Sequence, residues 1–291
     1  MANIGIVFAG GATKGAYEIG VIRAIEEYFG MDSIKCVSSA SIGSLITQAH
    51  GNGKLDEFTE LWKNVSPKKH GRFTLLMAGN EDIVKLITDT LGQENHLPYE
   101  HYVSLWNYTQ KKVEYVPFHT LEPEKLTQYL KGAISMPIFS SGELIDGDRI
   151  LDGAFLDNIP VYPLKDKDLD YIFCVYFDNC KYFFEDDEFN RKIVKLYDFP
   201  NDKMIEILVF SPESIDQMIQ YGYDYTMKTI KELFAFNEPE KVYAAIADND
   251  ANNSIENKKR FTADVVLMSI NNMTQKYSKR MSKRIDIEND R

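Results

Sequence analysis

Short apolar runs and amphipathic segments alternate over the first fifty residues of the chain. Residues 4–9 form an apolar run closed by two glycines, which indicates a buried strand. Residues 14–29 carry apolar side chains at helical spacing, and a glycine ends the pattern. The same succession repeats with a strand at 34–37, a turn of small residues, and a helix at 42–51. Two such units in sequence predict a parallel sheet with helices packed on its faces.

The pattern is less regular beyond these units. Residues 54–110 predict mostly helices and loops, with an aromatic-rich stretch at 99–108. A strand at 111–116 precedes an amphipathic helix that ends before Pro137, because proline disfavours helix at the preceding residue. Further strands are predicted at 149–151, 171–177 and 205–210, and the acidic segment 185–188 is assigned to a solvated loop.

Composition is that of an ordinary globular protein. The 291 residues are enough to form a hydrophobic core without stabilising disulfide bonds. Of these residues, 44% are hydrophobic and 26% are charged. No repeat and no linker rich in Pro, Gly or Ser forces a domain boundary. Cys36, Cys174 and Cys180 form neither a disulfide framework nor a metal-ligand spacing, so we expect small buried side chains.

The N-terminus and the apolar runs indicate where the protein is located, and the net charge indicates which partners are disfavoured. The N-terminus has neither a basic leader nor a small-residue cleavage site, and the apolar runs are far too short to span a bilayer. We therefore expect a cytoplasmic protein. The net charge of −11 and a pI near 5.0 repel nucleic-acid phosphates, so nucleic acid is disfavoured as a partner.

A turn poor in side chains, residues 10–15, joins the first strand to the first helix. Its backbone N–H groups and the helix N-terminus suit an anion, either a phosphate or a reaction oxyanion. The dinucleotide fingerprint requires glycine where Ala12 stands. The triphosphate loop requires a lysine after its last glycine, whereas Lys14 precedes Gly15. Neither phosphate template fits, and tight packing of strand against helix remains an alternative.

Ser41 stands between the second strand and the second helix. A serine in this setting with small neighbours, here Ser39 and Gly43, is typical of a nucleophile elbow. The sharp turn exposes the hydroxyl above the sheet and admits only small flanking side chains. A serine that caps the helix N-terminus gives a similar pattern, so both interpretations stay open at this point.

Asp152 precedes Gly153 and Ala154, a small-residue turn that would let its carboxylate approach a partner; an ordinary Asp-Gly turn is the alternative. The five histidines all lie at or before His119. The usual α/β-hydrolase triad runs serine, acid, histidine in chain order, so Ser41 and Asp152 leave no histidine to complete it. A carboxylate acting directly as the base on the serine is the surviving option.

Taken together, these segments resemble the patatin-like phospholipase family, whose signature is a G-G-G-x-[KR]-G turn, a G-x-S-x-G elbow and a D-G-[GA] acid. Residues 10–15, 39–43 and 152–154 match these three motifs in order. Residues 133–139 and 158–160 resemble the family's stretches on either side of the acid, and the likeness covers roughly residues 4 to 230.

The resemblance implies a Ser/Asp dyad that cleaves lipid acyl esters through an acyl-enzyme, with no metal or cofactor. Carried over, Ser41 is the nucleophile and Asp152 the base. The oxyanion would be held by the backbone N–H groups of Gly10, Gly11 and Ala12.

Lys14 matches the family's basic position and is a candidate for charge support, or else for a solvated side chain. Two residues depart from the pattern: Ala12 replaces the third glycine of the turn, and Ser39 replaces the first glycine of the elbow. Neither change removes a catalytic group, although both raise the alternative of a catalytically weak or inactive lipid-binding protein on the same fold. A nucleotide-binding α/β protein is a third hypothesis, which the failure of both phosphate templates disfavours.

The fold implied is a three-layer α/β architecture with a mainly parallel central sheet flanked by helices. We expect a lipid acyl hydrolase domain at 1–235 and a helical extension at 236–291 docked on it. The extension carries an apolar stripe and basic residues at 266–284, for which we favour docking over transient contact with a membrane surface. Segments 73–77 and around Trp106 are read as core packing rather than an acyl cap. The sequence does not indicate the oligomeric state.

Overall fold

The computed structural model describes residues 2–11, 14–64, 85, 88–137, 140–175, 186–196, 211–236 and 238–259. Its strands are β1 (Ile4–Phe8), β2 (Ile34–Ala40), β3 (Glu100–Asn107), β4 (Lys112–Pro117), β5 (Glu143–Ile145), β6 (Asp148–Asp152), β7 (Tyr171–Val175) and β8 (Ile193–Leu196). Its main helices are α1 (Gly15–Phe29), α2 (Ile42–Gly51), α3 (Leu55–Asn64), α4 (Pro123–Ala133), α5 (Asp187–Asn190), α6 (Pro212–Leu233) and α7 (Pro239–Lys259).

These strands form one mixed sheet in the order β5-β6-β3-β2-β1-β7-β8, and β4 pairs with β3. The central run is parallel: β3 with β2, β2 with β1, β1 with β7, and β7 with β8. Antiparallel pairs are confined to the end that holds β3, β4, β5 and β6. The predicted α/β architecture with a mainly parallel sheet and flanking helices is confirmed.

Alternate residues of β1 enter two different cores. Ile6 packs with α1 and α2 in the larger core, whereas its neighbour Val7 faces a smaller core built with residues 159–169. This alternation follows from strand geometry, in which successive side chains point to opposite faces of the sheet. The sheet is therefore covered on both sides, as a parallel sheet requires.

Helices α1 and α6 cross at very close range. A Cβ atom built on Gly20 would lie 2.0 Å from the carbonyl oxygen of Ile219, and one built on Gly222 would lie 2.2 Å from that of Tyr17. The two glycines therefore let the two backbones touch. This contact fixes the position of α1, and with it the glycine turn that precedes the helix.

Strand β3 contradicts the prediction for its part of the chain. Residues 99–107 were expected to belong to helices and loops, yet Glu100–Asn107 form a strand to which β2, β4 and β6 all pair. Tertiary pairing decides this segment, because its side chains alternate between two packed faces without a long apolar run.

Smaller differences concern boundaries and short elements. Strand β2 runs to Ala40, three residues beyond the prediction, and β5 and β8 were not predicted. In the acidic segment Asp186 caps α5 by accepting a hydrogen bond from the N–H of Phe189, so part of the expected loop is helical. The predictions at 73–77, 205–210 and 266–284 lie outside the described residues, as do 176–177 of the strand predicted at 171–177.

Within the described part of the chain, we find no helix that combines the length and apolar character needed to cross a membrane.

Candidate active site

Strands β2 and β6 meet end to end along one edge of β3. Parallel β2 pairs with β3 up to Ala40–Ser104, and antiparallel β6 takes over at Asp152–Leu105. Strand β4 occupies the opposite edge of β3 over the same residues, so β2 and β6 must share one edge. The two strands point toward each other, and their ends bring Ser41 and Asp152 together.

Ser41 adopts a backbone conformation that is rare for a residue with a side chain. Its φ is 52° and its ψ is −126°, outside the allowed regions of an L-residue. The side chain makes no capping hydrogen bond to α2, so the helix-cap alternative does not describe this residue. Instead the carbonyl of Ser41 accepts from the N–H and the Oγ of Ser44, which holds the turn while leaving the Ser41 hydroxyl available.

Asp152 is fully buried at the end of β6. Its Oδ1 accepts a hydrogen bond of 2.9 Å from the N–H of Ala154. Burial raises the pKa of Asp152 to about 7, and hydrogen bonding from Ser41 and from the Ala154 N–H opposes this rise. The Ser41 hydroxyl faces the carboxyl closely enough to stabilise its ionised form, although Oδ2 has no hydrogen bond of regular geometry to any described residue.

The glycine turn lies against both groups, but Gly10 differs from expectation. A Cβ built on Gly10 would lie 2.9 Å from Ser41 Cβ, so only glycine fits here. The Gly10 N–H donates to the carbonyl of Asn158 at 3.3 Å and is not free for an oxyanion. The Gly11 N–H has no hydrogen-bond partner in the described residues, while Ala12 lies outside them. Lys14 is half-buried at the N-cap of α1.

Ser39 replaces the elbow's first glycine and is accommodated inside β2. It is fully buried, and its Oγ lies 2.8 Å from Nε2 of His101 on β3. Burial, with a smaller contribution from His119, lowers the pKa of His101 to about 3, so the ring is neutral. Gly43, the other flanking position, has no space for a side chain: an added Cβ would lie 2.7 Å from Phe8 Cβ.

Glu18 is a buried carboxyl that the sequence pattern does not indicate. It is fully buried in α1, and neither oxygen has a hydrogen bond of regular geometry within the described residues. Its Oε2 would lie 3.3 Å from a Cβ on Gly43, which places it beneath the elbow. Burial raises its pKa well above the usual range, and the backbone N–H of Ala9 partly opposes this. Burial therefore favours the neutral form of this acid.

A strained serine and a buried aspartate, joined at one edge of a mixed α/β sheet beside a glycine turn, define the class of fold and site. The chain belongs to the patatin-like phospholipase family, whose model matches residues 6–165, more than half of the sequence. The matched range includes the turn, the elbow and Asp152.

Individual relatives are distant. The chain is 27% identical over 173 residues to "Lysophospholipase NTE1" of Mycosarcoma maydis, covering 55% of this chain and 9% of that protein. It is 26% identical over 187 residues to "Lysophospholipase nte1" of Neurospora crassa, covering 60% and 12%. The chain thus spans about a tenth of the length of these curated relatives. Among solved structures, VipD from Legionella pneumophila aligns with a TM-score of 0.48 and 14% identity, over 78% of this chain and 66% of that one.

Proposed function

We propose that this protein is a lipid acyl hydrolase that uses Ser41 as nucleophile and Asp152 as general base. The observation that carries the proposal is that β2 and β6 end beside each other on β3, which places the Ser41 hydroxyl against the Asp152 carboxyl. A base must have a pKa near the working pH to be effective, and burial brings the pKa of Asp152 to about 7. An ordinary aspartate, with a pKa of about 4, would be too weak a base.

The reaction proceeds in two steps. Ser41 Oγ attacks the ester carbonyl while its proton passes to the Asp152 carboxylate. The tetrahedral intermediate collapses, and the departing alkoxide takes that proton and leaves as an alcohol. Water then attacks the acyl-enzyme, Asp152 accepts the water proton and returns it to Ser41, and the fatty acid leaves.

The oxyanion would be held beside the N-terminus of α1. The Gly11 N–H is one donor, and we keep the Ala12 N–H as a second. A well-placed donor of this kind contributes about 3–4 kcal/mol to the reaction barrier. Lys14 would add positive charge at the same end of the helix.

The names of the relatives indicate which substrates to test first. Since the relatives are named lysophospholipases, monoacyl phospholipids are the first substrates to try.

We propose one domain at 1–235 with the extension from 236 docked on it. In support, Val242 and Ile246 of α7 are buried in the larger core. A cytoplasmic location and the absence of a cofactor stay predictions.

Hydrolysis of a lipid panel tests this function. The wild-type protein should release fatty acid from lysophosphatidylcholine, a monoacylglycerol or a p-nitrophenyl ester, whereas Ser41→Ala and Asp152→Asn should not. Ser33→Ala is the matched control, because Ser33 precedes β2 at the end of the strand opposite the elbow. Equal fatty acid release by the Ser41→Ala variant would refute the proposal.

A second candidate is a lipid-binding protein with little turnover. The observation in its favour is the engagement of the Gly10 N–H by Asn158, which removes one expected donor from the oxyanion site. Saturable binding of lysophosphatidylcholine without release of fatty acid from any lipid of the panel would identify this alternative.

A further inference from the structure

Asn158 joins the segment after Asp152 to the glycine turn. It lies just beyond the short helical turn Gly153–Phe155, and its backbone carbonyl accepts the N–H of Gly10. That hydrogen bond uses an amide which the family pattern would assign to the oxyanion. Asn158 therefore alters the expected donor set through its backbone.

The side chain of Asn158 reaches the same point as Ser41. A Cβ built on Gly10 would lie 2.7 Å from Asn158 Oδ1 and 2.9 Å from Ser41 Cβ. Asn158 Oδ1 and Ser41 Cβ therefore lie on the same side of Gly10, within about 6 Å of each other. The lack of a side chain at Gly10 keeps this corner of the site open.

The side-chain amide of Asn158 makes no hydrogen bond to any residue that the structure describes. Its Oδ1 is buried and makes no hydrogen bond to any described residue, and no side-chain bond of Asn158 occurs within the described part of the chain. The residue as a whole is only half-buried, so part of its side chain remains accessible. Of the two polar atoms of this amide, Oδ1 is buried and Nδ2 is not. The two N–H bonds of Nδ2 are then the accessible end.

We propose that Asn158 is a catalytic residue whose Nδ2 donates a hydrogen bond to the oxyanion that forms when Ser41 attacks the ester. The side chain thereby replaces the Gly10 amide that its own backbone carbonyl occupies. Asparagine side chains are suitable oxyanion donors, because they are neutral and carry a polarised N–H. The inference rests on the proposed function, since it requires a tetrahedral intermediate at Ser41.

Two substitutions distinguish hydrogen-bond donation by Asn158 from a role in which its side chain only fills space. Asn158→Ala removes the whole amide, and Asn158→Leu keeps a side chain of similar size and shape but removes the donors without adding charge. Both keep the backbone carbonyl that holds Gly10. Asn3→Ala is the matched control, because Asn3 precedes β1 at the end of that strand opposite the glycine turn.

The readout is the separation of kcat from KM on a p-nitrophenyl ester. We expect both Asn158 variants to lower kcat about 100-fold with KM within about threefold of the wild type. Affinity for a trifluoromethyl ketone, which forms a tetrahedral adduct with the serine, should fall by the same factor as kcat/KM. Asn3→Ala should match the wild type in all three quantities.

Several outcomes would overturn the inference. An Asn158→Leu variant with wild-type kcat would leave only a space-filling role, and an increase in KM without loss of kcat would indicate ground-state binding. Unchanged affinity for the ketone would also contradict donation to the oxyanion. An inactive wild-type protein would instead refute the proposed function itself.

Discussion

Ala40 and Asp152 pair with consecutive residues, Ser104 and Leu105, along one edge of β3. The residue after Ala40 is the strained Ser41, so two segments more than a hundred residues apart are joined by backbone hydrogen bonds to a common strand. Their relative position therefore depends on the sheet rather than on flexible loops. A rigid sheet is the more accurate scaffold for two groups that must exchange a proton.

The rate of ester cleavage should depend on pH through Asp152. The base acts only when ionised, and burial raises its pKa to about 7. We expect kcat/KM to rise with increasing pH up to about 7 and to level off above it, because kcat/KM reports ionisation in the free enzyme. Initial rates on a neutral ester between pH 5 and 9 measure this. A flat profile, or one that falls with pH, would contradict Asp152 as the base.

Replacing Asp152 by asparagine should stabilise the protein at alkaline pH. The pKa of the carboxyl is about 7 when folded and about 3.9 when unfolded, so the native state holds the extra proton between these values. The contribution of this group to the free energy of unfolding is therefore full below pH ~4 and lost as the pH rises to about 7.

Urea unfolding at pH 5 and pH 8.5 tests this expectation. The stability of Asp152→Asn relative to the wild type should increase at the higher pH. Asp32→Asn, at an exposed position, serves as the control and should show no such change. A relative stability of Asp152→Asn that is the same at both pH values would contradict the raised pKa.

Ser39 and His101 should be energetically coupled. Replacing His101 by phenylalanine leaves the buried Ser39 hydroxyl without its partner, which costs about 1–3 kcal/mol. In a Ser39→Gly background that penalty disappears, so the same histidine replacement should cost less. A double-mutant cycle of urea unfolding measures the coupling. Strict additivity of the two changes would mean that the hydrogen bond does not support the elbow.

The crossing of α1 and α6 should be intolerant of a single added methyl group. In Gly20→Ala the new Cβ would lie 2.0 Å from a backbone oxygen. We therefore expect the free energy of unfolding to fall by about 1–3 kcal/mol or more. Gly132→Ala in α4 is the control, since its Cβ would meet a side-chain atom of Ile150 at 3.0 Å. Similar stabilities for the two variants would contradict backbone contact between α1 and α6.

The first strand–helix units could be predicted because their apolar patterns are contiguous. Residues 4–9, 14–29, 34–37 and 42–51 all correspond to elements of the structure. Strand β3 could not, because its neighbours are set by pairing with segments far along the chain. Strands β5 and β8 contain only three and four residues, too few to show a period.

The candidate site could be predicted only where short motifs carry it. Ser41 and Asp152 stand in recognisable turns, whereas Glu18 and His101 lie inside regular elements and show no local signal. Their significance arises from burial, which is a property of the folded chain. Asn158 lies within a segment that supports the family resemblance, but only the folded structure shows that its Oδ1 is buried without a partner among the described residues.

Covalent labelling of Ser41 tests the central claim most directly. The wild-type protein is incubated with an alkyl fluorophosphonate near pH 8, and the adduct is located by intact-mass and peptide mass spectrometry. We expect one adduct on Ser41, none in the Ser41→Ala variant, and much slower labelling of Asp152→Asn. An equal adduct in Ser41→Ala, or labelling of Asp152→Asn at the wild-type rate, would contradict the Ser41/Asp152 mechanism.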